Sequence, residues 1–292
     1  MKKFILITGG AGFIGSNLIK SLLDETSFNI ISLDNYFTGN KKNHIINKRI
    51  KYLRGENAEI NTILNKYKNN IKIIFHFGEF SRIYQSFLQR EKCINYNLFG
   101  SFQVINFALK NKIKIIYSAS SSVIGNRGLD ENLSPYAWTK AKNIELIKNY
   151  NSWFGLKYEI VYFYNVYGPG QILNTPMSAV IGIFETQFKN KKPLTVVRPG
   201  TQKRDFTHID DIVKGCILAW KKGKQNEYML GTKKQYTILE IAKMFKYKIK
   251  LLPPRDGERF GTSIPNNNAS IHLGYKPKID IKDYISQFIK DN

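Results

Sequence analysis

The chain is poor in residues that build covalent or metal scaffolds. It has two cysteines, Cys93 and Cys216, far apart and without a CxxC, and its four histidines (His44, His76, His208, His272) show no metal-ligand spacing. Neither a disulfide framework nor a metal site is expected. Long hydrophobic runs are missing as well: no stretch approaches 18 apolar residues, so no membrane partner is expected. The apolar start KKFILIT passes straight into glycines with no small-residue cleavage site, which does not fit a signal peptide, and the expected location is cytoplasmic. Acidic residues are also scarce, 22 Asp and Glu against 45 Lys and Arg, giving a net charge of +23. The lysines are scattered among Ile and Asn along the whole chain. The charge therefore reads as a bias toward AT-rich codons and no nucleic-acid partner is expected, although the field would attract an anionic substrate.

What is present suits a globular α/β protein. The chain has 292 residues, 42% of them apolar and 13% aromatic, enough for one large or two smaller domains. Short β-branched runs at 3–8, 29–34, 50–54, 71–77, 113–118 and 158–164 alternate with helical spacing at 13–24, 57–69, 92–111 and 135–154. That alternation predicts a Rossmann-type, doubly wound parallel sheet, with strands apolar enough for burial on both faces. The last helix has clear ends: Ser134 to cap, Pro135 at the first helical position and Gly155 at the stop. After residue 168 the pattern changes to a helix around 177–190, a strand at 193–197, a turn at RPGTQ, a helical region at 205–222 and a closing helix around 280–290. The expected division is a dinucleotide-binding domain over 1–168, to which later segments return, and a smaller α/β substrate lobe over 169–292. Two lobes imply a cleft.

Directly after the first strand comes GGAGFIG, in which Gly9, Gly12 and Gly15 satisfy GxxGxxG and Gly10, Gly12 and Gly15 satisfy GxGxxG. The glycines let the backbone approach a pyrophosphate, and a helix N-terminus supplies free N–H groups to hold it. Asp34 stands about 20 residues further on at the end of the second strand, where a carboxylate accepts from a ribose hydroxyl and repels a 2′-phosphate. NAD is favoured over NADP, with Lys41 and Lys42 as the cations that could argue otherwise. A second constellation is Tyr136 and Lys140 in SPYAWTK, four apart on one helix face. A phenol becomes a usable acid or base beside an ammonium. Ser120, in a serine run ending the fifth strand, is placed to orient a substrate alcohol.

The chain resembles an extended short-chain dehydrogenase/reductase of the nucleotide-sugar epimerase/dehydratase family, the UDP-glucose 4-epimerase-like group. The likeness rests on GGAGFIGSNL at 9–18, Asp34, HFGE at 76–79 for the family's HxAA, NLFGS at 97–101, SASSSVIG at 118–125, SPYAWTK at 134–140, FYNVYGPG at 163–170 and RDFTHIDDIV at 204–213. The resemblance implies that Tyr136 takes a proton from a sugar hydroxyl, Lys140 binds the nicotinamide ribose and tunes Tyr136, and Ser120 bonds the reacting oxygen. It implies a cofactor site of Gly9, Gly12, Phe13, Ile14, Gly15, Asp34, Asn35, Glu56, Asn57, Phe77, Gly78, Glu79, Ser118, Tyr136, Lys140 and Tyr164. Glu56 stands where an aspartate usually reads the adenine. Substrate falls to Ser121, Ser122, Asn165, Arg204 and Arg259, the arginines suiting phosphate; for Arg204 the alternative is a surface pair with Asp205 or Asp210.

Several departures separate this chain from parts of the family. Glu79 replaces a small alanine, either reshaping the pocket beside the nicotinamide or contacting substrate. Ser121 and Ser122 stand where 4,6-dehydratases carry an aspartate and a glutamate, and the sugar-acid decarboxylases keep a glutamate there; no cysteine lies beside the serines, unlike multi-centre epimerases. Tyr162 replaces a common arginine, and ten residues separate Gly125 from Tyr136, a short loop that opens the substrate rim. The implied activity is inversion at C4 of an NDP-hexose through a 4-keto sugar. A 4-ketosugar reductase or dehydrogenase is the alternative, and a noncatalytic nucleic-acid-binding relative a remote one. Helices 92–111 and 135–154 are expected to pair two subunits into a homodimer.

Overall fold

The computed structural model describes every residue except Met1, Asp256, Thr262 and Ser263, and the side chains of Asn126 and Arg127. The chain runs β1 (Phe4–Thr8), α1 (Phe13–Glu25), β2 (Asn29–Asp34), β3 (Ile50–Arg54), α2 (Ile60–Ile63), β4 (Ile71–His76), α3 (Ile83–Leu88), α4 (Arg90–Ile94), α5 (Ser101–Lys110), β5 (Lys114–Ser120), α6 (Ser121–Ile124), α7 (Pro135–Phe154) and β6 (Tyr158–Phe163). It continues with β7 (Asn165–Tyr167), α8 (Val180–Lys189), β8 (Leu194–Val197), β9 (Lys203–His208), α9 (Ile209–Lys222), β10 (Glu227–Leu230), β11 (Gln235–Thr237), α10 (Ile238–Met244), β12 (Ile249–Leu252) and α11 (Ile281–Lys290).

Seven strands form one parallel sheet in the order β10-β6-β5-β4-β1-β2-β3. Successive side chains of a strand point to opposite faces, and both faces here are covered. On one, Leu6, Ile31, Ile74 and Ile115 pack against Val104 and Phe107 of α5 and Ile144 and Ile147 of α7. On the other, Ile5, Ile7, Ile30, Phe75 and Ile116 meet Leu18 and Leu22 of α1 and Ile212 and Cys216 of α9. This is why the strands read as continuous apolar runs. The order reverses between β1 and β4, and ligands of open parallel sheets bind at the carboxyl ends beside such a reversal. The segments after β7 build a third core from Ile181, Phe184, Val196, Phe206, Ile241, Phe245 and Ile285, while β10 returns to the edge of the large sheet beside β6.

Three sequence expectations need correction. The helical region at 205–222 begins only at Ile209, because residues 203–208 pair with β7 on one side and β11 on the other. The helix expected over 57–69 is cut to a turn at 57–59, the short α2 and a turn at 68–70; the stretch is rich in Asn, with Asn61, Asn65, Asn69 and Asn70, a residue type of low helix propensity. The helix over 92–111 is helical throughout, but residues 95–100 widen into a π-type turn that carries the buried Asn97 inward. By contrast α7 starts and stops as its ends dictate: Ser134 accepts from the Ala137 N–H at 3.1 Å and Gly155 takes the left-handed φ of 73°.

Candidate active site

The glycine turn between β1 and α1 is closed so tightly that side chains are excluded. Gly9 holds a φ of 72°, and a Cβ on it would lie 2.8 Å from the backbone of Gly78; a Cβ on Gly15 would lie 2.2 Å from the Gly9 carbonyl oxygen. Helix α1 opens at Gly12 with no side-chain cap, so its first N–H groups face the cleft beside Phe13 and Ile14. Asp34 accepts from the Ala11 N–H at 2.9 Å and the Tyr36 N–H at 2.7 Å. Burial raises its pKa and these bonds oppose the rise. Asn35 donates to Glu56 at 3.0 Å, and Asn57 donates to the Gly78 carbonyl at 2.5 Å, tying the adenine-side loop to the end of β4. A turn that a Cβ would fill, an uncapped helix start and a fixed carboxylate fit a dinucleotide.

Beside this cradle, β5 delivers Ser118 and Ser120, and α7 delivers Tyr136 and Lys140 one turn apart. Ser120 Oγ accepts from the Ser122 N–H at 3.2 Å and shares a hydrogen bond with Ser122 Oγ at 2.9 Å. The hydroxyl therefore caps α6 while lining the cleft. Tyr136 is anchored through its backbone N–H, which donates to Ser86 Oγ at 3.2 Å. The Lys140 ammonium is buried and donates to Glu79 Oε2 and to the Ser118 carbonyl, each at 2.5 Å. The other Glu79 oxygen accepts from Ser101 Oγ, Tyr117 Oη and Asn143 Nδ2, each at 3.0 Å.

This network fixes its own proton positions. Ser101 donates to Glu79 and receives His76 Nε2 at 2.8 Å, while Thr8 Oγ1 meets His76 Nδ1 at 2.7 Å. A neutral His76 carrying its proton on Nε2 satisfies every partner. Burial lowers its pKa to about 4, in agreement. Of the two roles open for Glu79 in the sequence, reshaping the pocket or contacting substrate, the second does not fit a side chain 1% exposed with both oxygens bonded.

The far side of the cleft is cationic. Arg204 donates to the Arg259 carbonyl at 2.8 Å and lies 3.8 Å from Glu258, not against Asp205 or Asp210. Asp205 instead accepts from the Thr232 and Lys233 N–H groups. Burial and the neighbouring Arg259 lower the Arg204 pKa to about 10, which leaves it charged at neutral pH. Arg259 donates to the Ser121 carbonyl at 2.7 Å and stands 4.0 Å from Asp130. Arg82 donates to the carbonyls of Met177 and Ser81 at 2.6 and 2.7 Å and has no carboxylate partner among the described residues. Both Arg82 and Arg259 line the same cavity as Tyr136.

All the residues expected for catalysis, cofactor and substrate line one cavity of about 910 Å³, including Asn165 and Tyr164 from the stretch around β7. Sequence reading missed Arg82, Arg255 and Glu258, which line the same cavity, and the ring of Ser101, Tyr117, Asn97 and Asn143 beneath it. Arg82 follows HFGE by three residues, but no spacing rule marks it. Tyr117 and Ser101 sit inside quoted motifs without any sign that they face Glu79.

Comparison with known proteins agrees with this geometry. A putative UDP-glucose 4-epimerase of Methanocaldococcus jannaschii is 29% identical over 303 residues, covering 98% of this chain and 97% of that one. The dTDP-D-glucose 4,6-dehydratase of Bos taurus is 27% identical, covering 99% and 88%. Among solved structures, the UDP-glucuronic acid 4-epimerase of Bacillus cereus, in complex with UDP-glucuronic acid and NAD, superimposes with a TM-score of 0.88 at 28% identity, covering 99% of each chain. The relatives thus differ in reaction while sharing the fold. Residues 5–231, which carry the glycine turn, the serines, Tyr136, Lys140 and Arg204, match the NAD dependent epimerase/dehydratase family, and the chain belongs to it.

Proposed function

We propose that this protein is an NAD-dependent nucleotide-sugar epimerase that inverts C4 of an NDP-hexose through a transient 4-keto sugar. The observation that carries the reading is the juxtaposition of Tyr136 and Lys140 with a Ser120–Ser122 wall that offers hydroxyls and no carboxylate. Elimination of water or loss of a carboxyl group draws on an acid or base there, and Glu79, a carboxylate lining the same cavity, is paired with Lys140. Bound NAD would accept the C4 hydride and return it. Gly9, Gly12 and Gly15 would hold its diphosphate, Asp34 its adenosine ribose, Glu56 its adenine, and Lys140 with Ser118 its nicotinamide end.

Tyr136 removes the C4 hydroxyl proton and later returns it, while the Ser120 hydroxyl holds that oxygen in line. Inversion requires the 4-keto sugar to turn about its diphosphate linkage, so the chain must grip the nucleotide and hold the sugar loosely. Arg204, Arg259 and Asn165 serve the grip. Arg82, a cation without a carboxylate partner among the described residues, adds positive charge to the cavity that Tyr136 lines and admits an anionic sugar. The exposed Phe99, Phe102, Trp138, Trp153 and Phe154 on the helical stretch around α5 and on α7 support a homodimer through these helices, to be checked by light scattering.

The test is incubation of the purified protein, with no cofactor added, with UDP-, GDP- and TDP-hexoses including N-acetyl and uronic forms, following anomeric signals by NMR. A C4 epimer approaching equilibrium without net NADH is the expected result. Sugars that stay unchanged until NADH or NADPH is supplied with a keto-sugar would overturn it in favour of a reductase.

A further inference from the structure

The chemistry above uses Lys140 but gives its partner Glu79 no task beyond the buried pair itself. A carboxylate and an ammonium removed from water are costly to maintain unless every remaining lone pair and proton is bonded. Here they are. Glu79 takes Lys140 on one oxygen and Ser101, Tyr117 and Asn143 on the other, so its anchors come from α5, β5 and α7. Lys140 is held from two sides, by Glu79 and the Ser118 carbonyl, and its third donor has only Ser118 Oγ at 3.5 Å. Its ammonium also stands over the Tyr117 ring at 4.9 Å. The ammonium has no freedom to swing, and one donor remains for an incoming hydroxyl.

We propose that Glu79 is a positioning residue that pins Lys140 against Ser118 and takes up its charge before cofactor or sugar arrives. A paired ammonium stabilises a neighbouring phenolate less than a free one. Arg82 and Arg259, which line the same cavity as Tyr136, are then the cations left to give its phenolate support. The other titratable neighbours do not supply it: burial keeps His76 neutral, the Cys93 thiol is pushed up to about 11, and Tyr117 is raised well above the ordinary phenol range. Glu79 thus divides two tasks, leaving Lys140 to hold a ribose and the arginines to set the charge at the reacting oxygen. The inference rests on the epimerase reading for its turnover assay only.

The test compares wild type, Glu79→Gln and Glu79→Ala in three measurements. These are the pH midpoint of kcat for C4 inversion, the ionisation midpoint of Tyr136 from its 13Cζ resonance (assigned by its loss in Tyr136→Phe), and the Kd for NADH by fluorescence. Glu79→Gln keeps the shape and removes the charge, so both midpoints should fall by about one pH unit with the NADH Kd within about threefold. Glu79→Ala also removes the anchor, and NADH should bind about tenfold more weakly, the scale of one charge-assisted bond. In the unaltered protein without cofactor, the pinned Lys140 ammonium should give a slowly exchanging 15Nζ signal. Midpoints unmoved in Glu79→Gln, or the absence of that signal, would overturn the proposal and reduce Glu79 to a space filler. If no sugar turns over while the tyrosine midpoint still moves, the epimerase reading falls and this one stands.

Discussion

Substitution of Gly15 by alanine tests the cofactor cradle most directly. Gly15 is the third residue of α1, where alanine ought to be the better residue by about 1 kcal/mol of helix propensity. The close approach reverses that preference. The new Cβ would stand 2.2 Å from the Gly9 oxygen, 2.8 Å from the Gly10 Cα and 2.9 Å from the Gly9 carbonyl carbon, all backbone atoms that cannot rotate aside. Ordinary contact begins at 3.4 Å, so the turn must open by about 1.2 Å. Overpacking of this kind costs about 1–3 kcal/mol, and at roughly 2.1 cal/mol/K per residue a chain this long should lose about 2–5 °C in Tm. The effect on binding is larger, because displacing a site by about 1 Å costs on the order of 100-fold. Fluorescence titration with NADH should show a Kd at least about 100-fold weaker, roughly 2.7 kcal/mol. Gly261→Ala is the control, since its Cβ meets nothing within 4 Å. Binding by Gly15→Ala that matches Gly261→Ala would refute the assignment of this turn to the cofactor.

Three further outcomes are expected. Tyr136→Phe should lower C4 inversion by about 1,000-fold or more with NADH affinity within about threefold; inversion within tenfold of wild type would remove Tyr136 as the base. Because burial holds His76 at about 4 in the fold against 6.5 in the open chain, the unfolded state binds the extra proton between these values. Its contribution to stability is therefore complete above pH 6.5 and lost as pH falls through 4, worth about 3 kcal/mol, and melts of His76→Asn should depend less steeply on pH across that window than wild type. Glu159, fully buried, receives Lys114 at 2.6 Å and the N–H groups of Gln225 and Asn226 at 3.0 Å. Its replacement by alanine strands those donors and should cost about 3 kcal/mol, read as a Tm loss of about 5 °C; a loss below 1 °C would show the pair to be idle.

Much of this protein is written in local pattern. The β-branched runs, the glycines after β1 and the Ser134, Pro135 and Gly155 punctuation of α7 each act over a few residues, through backbone sterics and unsatisfied N–H groups, and so can be read before folding. The strands β7, β11 and β12, three or four residues each, carry no comparable signal, because such strands exist only through the partners that complete their hydrogen bonds. The same division runs through the site. Tyr136 and Lys140 are legible because their spacing lies along one helix, and Asp34 because it ends the strand that follows the glycine turn and its helix. Glu79 is visible in the chain only as an oddity in place of a small residue. Its partners are Ser101, Tyr117, Lys140 and Asn143, brought together by α5, β5 and α7, and Arg204 likewise meets the carboxylate of Glu258 rather than that of Asp205 or Asp210. Local sequence sets what a segment can do alone; which charge neutralises which is decided by packing, since a buried ion is tolerable only beside the counter-charge that the tertiary fold supplies.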